Sequence, residues 1–306
     1  MMIDREKVME QNRLKSIAEH PCYNPGAHQY ARMHLPVAPA CNIQCNYCNR
    51  KYDCMNESRP GVTSDILSPD EALAKFSFVK SKLNNLRVVG IAGPGDALAE
   101  FEKTKATVKL IREHDPDITI CLSTNGLLLP DYADELIELG IRHITVTMNA
   151  VDSKIGEKIY GNITYHGKRY ENGSGAALLL ENQLKGLRRL ANAGAVCKVN
   201  IVMIKGINDH HIEEVVKTAK DCGAYITNIM PLIPVADTPF YSIPELDQKE
   251  LHAMRTKCGE TLRQMFHCRQ CRADAIGMLG KDLSLEFRDM PCKAEPLACR
   301  KKEDVI

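Results

Sequence analysis

The sequence predicts an α/β fold, a partial TIM-type (βα)6 barrel with extensions at both ends. Short runs rich in valine, isoleucine and threonine alternate with longer segments whose apolar residues recur at helical spacing. Such alternation requires parallel strands joined by right-handed crossovers, in either an open doubly wound sheet or a barrel. Two of the strands carry a polar face, which favours a partial barrel around a lumen over a sheet buried on both faces.

Six strands and six helices follow one another along the chain. The predicted strands are 34–39, 86–92, 118–123, 143–149, 196–203 and 225–230. The predicted helices are 69–84, 101–114, 131–139, 175–193, 208–222 and 247–264. Ser68 and Asn208 offer capping side chains at two helix starts, and Gly140, Gly194 and Gly223 stand where a left-handed residue closes a helix.

The polar strand faces belong to the third and fourth strands. We expect them to line the lumen, and they consist of Thr119, Cys121 and Ser123, and of His143, Thr145, Thr147 and Asn149. We expect one domain over 1–306, with a core at about 34–230, an N-terminal extension over 1–33 and a C-terminal extension over 231–306.

Composition restricts the function classes. The 306 residues are 44% hydrophobic and 26% charged, as in folded globular proteins, and the net charge is +1. A balanced charge gives no electrostatic footprint for nucleic acid or for an anionic membrane. No apolar run reaches 18 residues, and the N-terminus is charged where a secretory signal would be apolar, so we expect a cytoplasmic protein.

The strongest motif is a trio of cysteines directly after the first predicted strand. Cys41, Cys45 and Cys48 form a C-x3-C-x2-C pattern in a chain with 13 cysteines. In a reducing compartment, clustered thiols are more often metal ligands or catalysts than disulfides. Three thiolates occupy three irons of a 4Fe-4S cluster and leave the fourth iron open to a small molecule. A zinc site or a buried thiol trio is the alternative, although structural zinc takes a fourth ligand.

This cysteine loop resembles the signature of the radical S-adenosylmethionine (SAM) superfamily, in which the open iron binds SAM, and Tyr47 also fits it. Longer strings resemble the nitrogenase cofactor maturases of that superfamily. The matching strings are His20 to Asn24, Ala31 to His34, Val37 to Cys54, Asn56 to Gly61 and Cys268 to Asp274. The resemblance implies a short form, without the carrier-like C-terminal domain that some members have.

Candidate SAM-binding residues follow three of the predicted strands. Glycines allow close backbone approach to a ligand, and a carboxylate accepts hydrogen bonds from an ammonium group. The carboxyl ends of barrel strands are also where active sites assemble. The candidates are Gly93, Gly95 and Asp96 after the second strand, Ser123, Thr124 and Asn125 at the end of the third, and Asn149 at the end of the fourth. A strand-to-helix turn explains the glycine segment equally well.

The resemblance implies catalytic cysteines at 41, 45 and 48 and two auxiliary 4Fe-4S clusters that act as substrates. The six candidate ligands for the auxiliary clusters are Cys22, His34, Cys54, Cys121, Cys268 and Cys271. Six ligands for eight positions suit clusters that are to be fused and released. Glu57 is either an oxygen ligand or a solvated loop acid, and Cys292 and Cys299 are either ligands or tail thiols. We expect Cys197, Cys222 and Cys258 to be small buried or surface residues.

The reaction implied by the resemblance inserts a SAM-derived carbide and an added sulfide while two 4Fe-4S clusters fuse into an eight-iron precursor. Its implied partners are an iron–sulfur cluster donor, a reductant such as ferredoxin or flavodoxin, and a carrier or scaffold that receives the product. Two alternatives remain open. One is a different radical SAM enzyme with auxiliary clusters that acts on a peptide or small molecule, and the other is a noncatalytic iron–sulfur scaffold.

Overall fold

The computed structural model describes residues 2–54, 56 and 63–287. The strands are β1 (Ala31–His34), β2 (Ile43–Cys45), β3 (Leu86–Ile91), β4 (Thr119–Thr124), β5 (His143–Thr147), β6 (Tyr160–Tyr165), β7 (Lys168–Glu171), β8 (Val196–Met203), β9 (Ile226–Pro231), β10 (Ile276–Met278) and β11 (Lys281–Asp282). The helices are α1 (Met2–Glu19), α2 (Pro69–Lys82), α3 (Phe101–His114), α4 (Leu129–Glu138), α5 (Ser153–Ile159), α6 (Asn172–Asn192), α7 (Ile212–Asp221) and α8 (Gln248–Gly259).

The central sheet has the order β11-β10-β1-β3-β4-β5-β8-β9. Its six strands from β1 to β9 pair in parallel and in chain order, with helices in the connections between them. This arrangement confirms the predicted α/β architecture of six parallel strands. Fully buried side chains of the helices, such as Phe76, Ile111 and Leu190, join those of the strands in one large apolar core.

Helix ends follow the local sequence. Ser68 and Glu71 form a capping box at α2, because each side chain accepts a hydrogen bond from the other residue's backbone N–H, at 3.3 and 2.8 Å. Three helices are followed by a glycine with positive φ, which confirms that prediction. These are Gly140 at +75°, Gly194 at +82° and Gly223 at +86°.

Two local predictions are wrong. The first strand is Ala31–His34, not 34–39, and the stretch after it contains Pro36 and Pro39, which lack the N–H that a strand ladder needs. Asn208 does not cap a helix, because its amide donates to the carbonyls of Asn149 and Val202, at 2.8 and 2.9 Å. A short 3-10 turn follows it, so α7 begins only at Ile212.

The structure contains several elements that the sequence analysis did not predict. They are α1, α5, the strands β10 and β11, and a second sheet of order β2-β6-β7. The second sheet matters for the site because β2 lies inside the cysteine loop. Its Ile43 pairs with Ile163 of β6 in antiparallel register, which fixes the loop to the body of the protein.

The chain after α8 crosses from the last parallel strand to the first. Next to β9, Thr227 donates from its N–H to the carbonyl of Arg263 at 2.9 Å, and Met265 donates to the carbonyl of Thr227 at 2.8 Å. At the other end, β10 pairs with β1 in antiparallel register, with Gly277 opposite Arg32. We call residues 264–275 the crossing segment, because they run between the two edges of the parallel sheet. Within the described part of the chain, no helix has both the length and the apolar character needed to cross a bilayer.

Candidate active site

Cys41, Cys45 and Cys48 line one cavity of about 400 Å³ at the carboxyl ends of β1, β3 and β4. The loop that carries them is folded around the side chain of Gln44. Its amide donates to the carbonyls of Cys45 and Cys48, at 3.0 and 2.9 Å, and the Cys48 N–H donates to the Cys45 carbonyl at 3.0 Å. The structure therefore brings the three predicted thiols together on a loop that is held by hydrogen bonds to its own backbone carbonyls.

Burial controls the electrostatics of these thiols. It raises the pKa of Cys41 to about 11, with a further contribution from Asp96, and it raises the pKa of Cys45 and Cys48 as well. The Arg50 guanidinium opposes this by lowering the pKa of Cys41 and Cys48. Buried thiolates need a bound cation, so the trio suits a metal group that supplies positive charge.

A polynuclear group fits these residues better than a single ion. Within the described residues, no three histidine, cysteine or carboxylate side chains converge as the ligands of one metal ion do. In an iron–sulfur cubane each iron takes its own thiolate, so the thiols stand apart around the group. Three thiols on the wall of one buried cavity match that requirement.

Gly95 packs directly against the backbone that leads into the cysteine loop. A Cβ at this position would lie 2.0 Å from the Ala40 carbonyl oxygen, so only glycine fits. The Gly95 N–H donates to the carbonyl of Ala38 at 2.6 Å, and the Asp96 N–H donates to the carbonyl of Ala40 at 2.7 Å. This close approach is made to the protein's own backbone, and it joins the glycine segment to the residues just before Cys41; the approach to a ligand stays a prediction.

The Asp96 carboxylate connects this segment to the end of β4. It accepts hydrogen bonds from the Thr124 hydroxyl at 3.0 Å, from the Asn125 N–H at 2.5 Å and from the Leu98 N–H at 2.9 Å. The Asn125 amide nitrogen lies 4.0 Å from the Cys41 Sγ. Gly95, Asp96, Ser123, Thr124 and Asn125 all line the cavity of the cysteine trio.

Two of the candidate SAM-binding residues lie elsewhere. Gly93 and Asn149 are not among the residues that line the cysteine cavity. Asn149 is fully buried, donates to the Tyr47 hydroxyl at 2.7 Å and accepts from the Val202 N–H at 2.8 Å. It therefore supports the cysteine loop from behind, through Tyr47, which in turn donates to Asn56 at 2.7 Å.

A second cavity of about 660 Å³ collects most of the remaining candidate ligands. Cys22, His34, Cys121, Cys268 and Cys271 all line it. Cys54 does not, because it lines the cavity of the cysteine trio instead. The two cavities adjoin, since Asn56 and Ser123 line both. Glu57, Cys292 and Cys299 lie outside the described residues.

His34 has the tautomer that metal binding needs. Its Nδ1 lies 2.9 Å from the Arg272 carbonyl oxygen, so Nδ1 carries the proton and Nε2 keeps its lone pair. Burial lowers the pKa of His34 to about 4, which keeps the ring neutral near pH 7.

Sequence reasoning missed Gly90, which makes room for two of these candidate ligands. Gly90 lies between His34 on β1 and Cys121 on β4 in the register of the sheet. A Cβ here would lie 2.8 Å from the His34 Cδ2 and 3.1 Å from the Cys121 Sγ. The available signal was a glycine inside an otherwise apolar strand, which often marks a close approach.

Sequence reasoning also missed Lys198, a buried lysine in the middle of β8 that lines the second cavity. Burial raises the pKa of the Cys22 thiol to about 11, and the positive charge of Lys198 acts to lower that pKa. The signal was a lysine in a strand that is otherwise buried. Of the two places that the sequence left open for Cys197, Cys222 and Cys258, the structure shows burial in the apolar core.

The family model of the radical SAM superfamily matches residues 35–219, which is more than half of the chain. The chain belongs to the radical SAM superfamily. This membership implies a 4Fe-4S cluster and SAM as its cofactors, and the cysteine trio is the part of the chain that fits them. Asp96, Thr124 and Asn125 line the same cavity as this trio.

Among curated proteins, the radical SAM chain is similar to the FeMo cofactor biosynthesis protein NifB. It is 52% identical to that of Klebsiella pneumoniae over 279 residues, covering 90% of this chain and 60% of the relative. It is 49% identical to that of Frankia alni over 282 residues, covering 89% of this chain and 55% of the relative. The chain thus spans a little over half the length of these relatives.

Among solved structures, the crystal structure of Streptococcus suis SuiB bound to S-adenosylmethionine is similar in fold. The TM-score is 0.53 at 15% identity, and the match covers 77% of this chain and 50% of that one. A match at this level of identity shows the fold alone, and it agrees with the α/β architecture of six parallel strands described above.

Proposed function

We propose that this radical SAM chain catalyses a step of nitrogenase cofactor biosynthesis, in which two 4Fe-4S clusters fuse around a SAM-derived carbide. One observation carries the proposal. The cavity of the cysteine trio adjoins a second cavity that is lined by four thiols and two histidines, His20 and His34, with Asn56 and Ser123 in the shared wall. A radical formed in the first cavity would therefore arise next to material bound in the second.

Cys41, Cys45 and Cys48 would hold the SAM-binding cluster, and the segments at Gly95, Asp96 and Asn125 would hold SAM. When bound, that cluster supplies the electron that cleaves SAM into methionine and a 5′-deoxyadenosyl radical. Asp96 fixes the end of β4 beside the trio through its three hydrogen bonds. Gln44 holds the carbonyls of the loop, so that the thiols keep their positions.

The second cavity would bind the substrate clusters. Cys22, His34, Cys121, Cys268 and Cys271 are its candidate ligands, and Cys54 stands in the neighbouring cavity. A substrate cluster that lacks some protein ligands can be fused and released, which full ligation would prevent. The neutral His34 offers its Nε2 lone pair at this site without first losing a proton.

The walls of both cavities protect a reactive species from water. Tyr47 is 1% exposed and Asn56 is 5% exposed, and the two are joined by a hydrogen bond of 2.7 Å. Met230 and Met265, which are also buried, give the second cavity apolar surface. A dry, enclosed site limits side reactions of a radical.

The similarity to NifB supports the choice of substrate. In this proposal one SAM donates a methyl group to a substrate cluster, and the radical from a second SAM abstracts a hydrogen atom from that group to give deoxyadenosine. The remaining two hydrogens leave as protons, the carbon becomes the carbide, and an added sulfide completes the eight-iron product. The partners would be an iron–sulfur cluster donor, a ferredoxin or flavodoxin as reductant, and a carrier or scaffold protein that receives the product.

The test uses anaerobically reconstituted protein, a reductant and SAM. We expect deoxyadenosine together with a cluster product that activates cofactor-free nitrogenase. Cys41→Ala should abolish both readouts, whereas Cys268→Ala should keep SAM cleavage and lose the cluster product. Deoxyadenosine without any activating product would contradict the proposed substrate and favour a peptide or small molecule. Bound iron and sulfide without SAM cleavage would contradict an enzymatic role and favour a noncatalytic iron–sulfur scaffold.

A further inference from the structure

The C-x2-C pair of Cys268 and Cys271 lies in the middle of the crossing segment. One end of this segment is hydrogen-bonded to β9, and the chain beyond the other end is paired with β1 as β10. Both cysteines line the second cavity, so this cavity is partly walled by a segment without regular secondary structure. A loop that must present two ligands accurately needs side chains that hold it.

Arg32 on β1 holds Cys271. Arg32 is 3% exposed, and its Nη2 donates to the Cys271 Sγ at 3.2 Å. The other terminal nitrogen donates to the carbonyls of Gly277 and Met278 in β10, which fixes the plane of the group. Because the guanidinium is planar, its anchoring through Nη1 on backbone oxygens also fixes the direction in which Nη2 donates to the sulfur.

Asn228 on β9 holds Cys268. Its amide nitrogen donates to the Cys268 Sγ at 3.4 Å and to the Asn200 Oδ1 at 3.2 Å. Asn200 donates in turn to the carbonyl of Asn56 at 3.1 Å, so the chain of amides reaches the wall between the two cavities. Asn228 is 2% exposed, and its Oδ1 meets no donor among the described residues.

The two donors come from the first and the last parallel strands of the sheet. We propose that Arg32 and Asn228 are positioning residues: Arg32 fixes Cys271 from β1, and Asn228 fixes Cys268 from β9. Together they set how firmly the two cysteines retain the substrate cluster. The inference rests on the proposed function, which makes the two cysteines ligands. The pair would be held by the sheet itself, not by the crossing segment alone.

Hydrogen bonds to ligand sulfurs have two measurable consequences. Partners outside the ligand shell contribute about 10- to 100-fold to metal affinity. Donors to the sulfurs also stabilise the more negative, reduced state, so their removal makes the reduction potential more negative. A residue that only supports the fold would change neither property selectively.

The experiment compares Arg32→Gln and Asn228→Leu in a Cys41→Ala background, so that bound iron reports on the second cavity. The matched controls are Arg112→Gln and Asn182→Leu, because both residues donate to backbone carbonyls and line neither cavity. The readouts are the rate at which a chelator removes iron, the reduction potential of the bound cluster, and the thermal unfolding of the metal-free protein.

We expect iron to leave both test variants about ten times faster than the parent or more, and the potential to become more negative, while both controls match the parent. Asn228→Leu tests the claim independently if Arg32→Gln does not fold. Release rates and potentials equal to those of the parent would overturn this inference alone. A parent protein that binds no iron in the second cavity would overturn the proposed function and this inference with it.

Discussion

At the scale of single residues, Asp96 shows how one side chain can serve both structure and binding. The sequence predicts it as an acceptor for the ammonium group of SAM, and its carboxylate already accepts from Thr124, Asn125 and Leu98. Burial raises its pKa, and the hydrogen bonds from Asn125, Leu98 and Thr124 act against that rise. A carboxylate held in this way fixes the geometry of the cavity even before a ligand arrives.

We therefore predict that Asp96→Asn destabilises the fold by about 1–3 kcal/mol, because an amide NH2 group replaces one of the acceptor oxygens. It should also weaken the response of the reduced protein to SAM. Denaturant unfolding and SAM titration measure the two effects. Asp134→Asn is the control, since Asp134 is exposed and its ion pair with Arg189 lies on the surface. Equal stability of Asp96→Asn and wild type would contradict the role given to the carboxylate.

At the scale of elements, the contact between the segment after β3 and the segment after β1 positions the cysteine loop. Gly95→Ala would place a methyl group 2.0 Å from the Ala40 carbonyl oxygen, so the backbone next to Cys41 must shift. We predict that this variant loses iron from the cysteine trio. Gly280→Ala should not, because none of the described residues beyond its chain neighbours has an atom within 4 Å of the corresponding position. Iron quantification after reconstitution decides between these outcomes, and equal iron content would contradict the prediction.

The same scale shows what a sequence can and cannot reveal here. The parallel strands carry strong local patterns, and the polar face of β4 indeed lines the site through Cys121 and Ser123. By contrast, β2 is only three residues long and owes its existence to pairing with β6, far along the chain. The crossing segment has no periodicity at all, and its position follows from contacts with Thr227 at one end and β1 at the other.

The sequence also does not reveal which candidate ligands share a cavity. Cys54 and Cys121 look equivalent as isolated thiols, yet the first lines the cavity of the trio and the second lines the neighbouring one. The N–H of Cys54 donates to the Pro94 carbonyl at 2.8 Å, which ties its loop to the glycine segment. Such a contact joins residues 40 positions apart, so no local pattern predicts it.

At the scale of the whole molecule, buried neutral histidines link stability to pH. Burial lowers the pKa of His143 to about 3 and that of His34 to about 4, from an ordinary value of 6.5. As the pH falls below about 6.5, the unfolded chain takes up protons that the folded chain does not, so stability decreases. Each such histidine contributes roughly 1.4 kcal/mol per pH unit within this window.

We predict that the unfolding midpoint of the metal-free protein falls steadily between pH 6.5 and pH 4. His143→Gln should flatten this dependence, because His143 is buried outside both cavities and meets Ser16 through Nε2 at 2.9 Å. His166→Gln is the control, since the His166 side chain is 61% exposed. Thermal unfolding across this pH range provides the measurement, and the same slope in all three proteins would contradict the account.

The central claim is that Cys41, Cys45 and Cys48 leave one iron of their cluster open to SAM. Electron paramagnetic resonance of the reduced, reconstituted protein, recorded with and without SAM, tests this most directly. We predict that SAM changes the spectrum of the wild type and leaves that of Cys41→Ala unchanged. A wild-type spectrum that does not respond to SAM, in protein with a full complement of iron, would contradict the claim.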